Sequence, residues 1–85
     1  MRIVAVGRAR EVGGFALAGV EMRPCATAAD ADAAVDALAR GQDVPGLLVV
    51  SPWAGRAAAR AIARVREQPA PPVVVVLPEI GEGEP

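Results

Sequence analysis

Histidine, lysine, tyrosine and asparagine are absent from this 85-residue chain, and serine, threonine and cysteine occur once each, as Ser51, Thr27 and Cys25. Acid–base chemistry near neutral pH draws most often on histidine, and a Ser or Cys nucleophile needs an activating base beside it. Only carboxylates and arginines remain for such work. A two-carboxylate mechanism is therefore the one catalytic route left open, and the expectation is a non-enzyme with no catalytic residues. Metal ligands are equally scarce. Without histidine and with one cysteine, only a carboxylate cluster could hold a hard cation such as Mg²⁺ or Ca²⁺, and none is visible, so neither a metal nor a cofactor is expected. The lone cysteine cannot form an internal disulfide, which fits a reducing compartment.

Long hydrophobic runs are missing too. The longest, Leu47–Val50 and Val73–Leu77, fall far short of the ~20 apolar residues that span a bilayer. No signal-peptide pattern follows Met1-Arg2-Ile3. The expectation is a cytoplasmic chain without direct membrane insertion. The net charge of −1 gives no electrostatic case for nucleic acid, which asks for a dense basic surface. Aromatics are limited to Phe15 and Trp53. A chain of this length makes one small domain, burying about 60% of its unfolded surface and leaving little room for an enclosed active-site cavity.

What is present is a regular alternation. Four apolar runs read as strands, Arg2–Val6, Val20–Arg23, Gly46–Val50 and Val73–Leu77, with three helical segments between them. Strands alternating with helices predict a parallel sheet covered on both faces. The fold expected is α/β: a single flavodoxin-like, receiver-like domain over residues 1–78, with four parallel strands and three helices in the order βαβαβαβ. The acidic Gly/Pro tail, residues 79–85, is too polar to add core and is expected to fray.

The first helix is short and bracketed by glycines, with Phe15, Leu17 and Ala18 inside it and Gly19 placed to end it in a left-handed conformation. In the second, Thr27 is the N-cap and Asp30 completes a capping box. Ala31, Ala34, Val35 and Leu38 form the buried stripe, Asp32 and Asp36 read as a solvated acidic face, and Arg40-Gly41 is the stop. The third helix starts at Ser51-Pro52, a cap followed by proline at the first helical position. It buries Ala58, Ile62 and Val65 and carries Arg56, Arg60 and Arg64 at i, i+4, i+8. Those arginines serve a solvated face or an acidic partner. Trp53 lies at the carboxyl edge of a central strand, where open α/β sheets hold their ligands, and suits core and interface equally.

Phosphate chemistry finds no support. Gly7, Gly13 and Gly14 do not have the G-x-G-x-x-G spacing, and a Walker-type loop lacks its lysine. A receiver-type phosphoacceptor needs an Asp after the third strand, an acidic pair after the first and a late Lys. Ser51, Gly7-Arg8 and the absence of lysine rule that mechanism out.

One segment carries a family resemblance: Gly14-Phe15-Ala16-Leu17-Ala18-Gly19-Val20-Glu21. It is followed by the acidic Ala-rich helix Thr27–Arg40, by Asp43-Val44-Pro45-Gly46 leading into a strand, and by Pro71-Pro72-Val73 to Pro78-Glu79-Ile80-Gly81. Together these resemble the F subunit of the V-type and A-type ATPases, over nearly the whole chain. The resemblance implies a non-catalytic part of the central rotor stalk of a proton- or sodium-translocating ATPase or ATP synthase. It implies as partners the coiled-coil D subunit and, through it, the catalytic A/B hexamer, with the protein peripheral to the membrane. Phe15, Trp53, Arg56 and Arg60 are the expected partner contacts, although Phe15 reads first as core. Two departures stand out. Arg8 follows the first-strand glycine where the family usually has Asp, and the family's C-terminal helix is expected to be missing after Pro85. The competing readings are a stand-alone receiver-like regulatory domain without phosphorylation and a small carboxylate-dependent hydrolase.

Overall fold

The computed structural model describes residues 2–41 and 44–78, apart from the side chains of residues 15–17. Met1, Asp43 of the approach to the third strand and the tail from residue 79 lie outside the described residues. Four parallel strands, β1 (Ile3–Gly7), β2 (Glu21–Pro24), β3 (Leu47–Val50) and β4 (Val73–Val76), form one sheet in the order β2-β1-β3-β4. Its register sets Val4 opposite Glu21 on one side and Leu48 on the other, with Leu48 opposite Val74. The expected α/β sheet with its four strands is thus present, each strand within a residue of its predicted bounds.

Helices α2 (Ala28–Arg40), α3 (Pro52–Ala57) and α4 (Ala59–Arg66) cover one face of the sheet. Alternation along the strands aims Val4, Val6, Leu48 and Val50 at that layer, where they meet Ala31, Val35, Leu38, Ala54, Ala58, Ile62 and Val65 in the core. The α2 stripe predicted from spacing is the buried one, with Ala34 half-buried. Thr27 Oγ1 accepts from Asp30 N at 3.1 Å and Asp30 Oδ2 from Thr27 N at 3.2 Å, the two halves of the capping box. Gly19 has φ +76°, the left-handed residue that returns the chain to β2. Gly41 differs: at φ −65°, ψ 164° it leaves α2 extended.

Two helical segments differ from expectation. The first comprises a single α-turn, α1 (Ala9–Val12), placed before the glycines, and then a 3₁₀ run, Gly13–Ala18. Glycines at 13 and 14 support no longer α-helix. The third divides at Ala58, which has φ −107° and ψ 23°, so the described residues form four α-helices where three were expected. Hydrogen bonding carries across that break, because Ala58 N donates to the Ala54 carbonyl and the Ala58 carbonyl accepts from Ile62 N.

β4 is an open edge. Val74 packs against the core, whereas Val73 and Val75 point to the other side of the sheet and are 62% and 41% exposed.

Candidate docking site at the carboxyl end of the sheet

The strand order reverses between β1 and β3: the chain leaves β1 toward β2 on one side and returns through α2 to β3 on the other. Crevices of open α/β sheets form at such a point, beyond the carboxyl ends of the strands. Here the segments that meet are Gly7-Arg8, Pro24-Cys25-Ala26 and Ser51-Pro52-Trp53. Cys25 N donates to the Gly7 carbonyl at 2.8 Å and Ser51 N to the Val6 carbonyl at 3.0 Å, which locks the three together.

Gly7 makes the close approach possible. A Cβ there would lie 2.8 Å from Ser51 Oγ and 3.0 Å from Val12 Cγ1. Ser51 is buried, and its Oγ accepts from Ala54 N at 3.1 Å as the cap of α3. The only serine of the chain is therefore occupied in a structural bond. Cys25, also buried, donates its S–H to the Arg23 carbonyl at 3.4 Å. Burial pushes the Cys25 thiol up from its ordinary value, with Asp30 adding to the effect; a neutral thiol is a poor nucleophile. Among the described residues no group of three or more His, Cys, Asp or Glu could hold a metal ion.

Positive charge at this end comes from arginine. The Arg8 guanidinium sits 4.5 Å from the centroid of the Trp53 ring, a cation–π contact. Trp53 itself is half-buried against the core. Arg8 and Arg10 border an open groove of about 680 Å³ whose other walls are Ala9, Pro24, Cys25 and Ala26.

Of the expected partner contacts, Trp53 stands at this crevice, against Arg8. Arg56 is exposed in the last turn of α3, and Arg60 is exposed on α4, beyond the break at Ala58. Phe15 lies in the 3₁₀ run, and its side chain is outside the described residues. The third arginine of the predicted stripe is engaged elsewhere: Arg64 reaches Asp36 at 3.6 Å, and Arg40 reaches the same carboxylate at 2.8 Å. Asp36 is thus a bridging acid between α2 and α4, where a solvated face was expected. Arg8 and Arg10 were not among the expected contacts. Their signal was positional, an Arg-x-Arg directly after the first strand of a parallel sheet.

A family model described as ATP synthase (F/14-kDa) subunit matches residues 3–84 of the chain. The match covers nearly every residue, including all four strands. The chain belongs to the ATP synthase (F/14-kDa) subunit family. A comparison with curated proteins finds no match. Among the described residues no helix is long and apolar enough to cross a membrane, which is compatible with a peripheral subunit.

Proposed function

We propose that this family member is a non-catalytic central-stalk component of a V/A-type rotary ATPase or ATP synthase, coupled to proton or sodium movement and docked on the coiled-coil D subunit. Nucleotide chemistry then resides in the A/B hexamer, and this chain acts by binding, on the cytoplasmic side and peripheral to the membrane. The observation that carries the reading is the family match over residues 3–84. The site is consistent with it, since the carboxyl-end crevice presents arginine and a half-buried tryptophan, the side chains most enriched where interfaces concentrate their binding energy. Trp53, Arg56, Arg60 and Phe15 are the proposed contacts.

The test is recovery of the assembled complex. The tagged chain, produced in its own host and purified after gentle solubilisation of membranes, is expected to bring down the catalytic A and B subunits together with the coiled-coil rotor protein. Recovery of the tagged chain with none of these proteins would contradict the assignment.

A further inference from the structure

The three helices that start at the carboxyl end of the sheet carry their own caps. Arg8 N donates to Glu11 Oε1 at 2.8 Å, Ala26 N and Thr27 N donate to Asp30 Oδ2 at 3.3 and 3.2 Å, and Ala54 N donates to Ser51 Oγ. Two of those caps are carboxylates. An anion approaching these helix ends meets negative charge and occupied donors in place of the backbone cradle that phosphate requires. The available positive charge therefore lies on side chains.

Most of the arginines that pair do so internally. Arg2 and Arg23 bind Glu21, and Arg40 and Arg64 bind Asp36. Arg8 and Arg10 are exposed at the rim of the groove, and neither meets a carboxylate among the described residues. Their spacing in sequence puts one at the N-cap of α1 and the other within its single turn. The Trp53 ring beneath Arg8 restricts that guanidinium before any ligand arrives, which lowers the ordering cost of binding. Ala9, Pro24, Cys25 and Ala26 add no charge of their own. The groove is walled mostly by exposed residues, so it cannot enclose a small molecule as an enzyme pocket does.

We propose that this groove receives a carboxylate-bearing segment of a partner protein, with Arg8 and Arg10 as paired anchors and Trp53 as the platform that presets Arg8. Guanidinium and carboxylate match through two parallel N–H···O bonds, so charge complementarity at the two arginine side chains is the selecting term. The inference rests on the docking reading above only for its premise that the occupant is a protein; it names the chemistry that the partner must present.

The experiment uses the whole chain and a fluorescein-labelled peptide of alternating Glu and Ala at low ionic strength. Peptide anisotropy and Trp53 emission are followed together, because one Trp and no Tyr make the emission a report on Trp53 alone. Expected is saturable binding that moves both signals and weakens with salt, and no binding of the Gln/Ala counterpart. Arg8→Ala and Arg10→Ala should each weaken binding about ten-fold, with Arg40→Ala unchanged and circular dichroism confirming that all three fold. No saturable binding, or equal affinity in the wild type, Arg8→Ala and Arg10→Ala, would overturn the proposal. Inorganic phosphate binding as tightly as the peptide would overturn it as well, in favour of a small-anion site. The assay contains no other ATPase component, so its failure leaves the rotor reading standing, and failure of complex recovery leaves a positive peptide result standing.

Discussion

Adding one methyl at Gly7 would bring a carbon to 2.8 Å from Ser51 Oγ and 2.9 Å from Ser51 Cβ. Neither atom can retreat, because Ser51 is buried and capping α3. Gly7→Ala should therefore destabilise the fold by about 1–3 kcal/mol, as overpacking does in a filled core, and thermal unfolding will show it. Glu21 supplies a prediction on pH. Arg2 donates to its two carboxylate oxygens at 2.9 and 3.1 Å, and with Arg23 nearby the carboxyl is held at about 2, below its ordinary 4.5. A depressed carboxylate contributes stability above its unfolded value and loses it as pH falls through the folded one. The wild type should thus exceed Glu21→Gln in stability near neutrality, and the difference should shrink between about pH 4.5 and 2. Denaturant titrations of both proteins across that range measure it. Such contacts were not legible in the sequence, since the Arg2–Glu21 pair spans nineteen positions and follows only from the parallel register of β1 on β2.

At the scale of elements, the sequence carried more. Valine-rich runs marked the strands, and the Thr27/Asp30 and Ser51/Pro52 signatures marked two helix starts, because caps act through neighbours in sequence. Thr27→Ala should accordingly cost about 1 kcal/mol, read as a lower denaturant midpoint with an unchanged slope. What stayed illegible has physical reasons. The break at Ala58 falls within a run of alanines, where no residue type marks a change of helix. The turn Ala9–Val12 is too short for hydrophobic periodicity and is held by the Glu11 cap and by burial of Val12. The arginine stripe on α3 and α4 was visible as spacing, but the engagement of Arg64 with Asp36 depends on how α4 packs beside α2.

For the whole molecule, the order β2-β1-β3-β4 brings the segments after β1 and β3 together at one end, and this is where Arg8 meets Trp53. Trp53 was identifiable from its place after a central strand. Arg8 gained its meaning only when the sheet order put it over that ring. The same topology leaves Val73 and Val75 exposed on the edge strand, a surface that proteins usually cover or charge. The family match over residues 3–84 makes the chain an ATP synthase family subunit, and the role proposed for it is docking. The most direct test mixes the purified chain with the purified coiled-coil D subunit proposed as its partner, from the same source, and weighs the product by size-exclusion chromatography with light scattering. A stable one-to-one complex is the result expected of a docking component, and separate elution of the two proteins at micromolar concentration would contradict it.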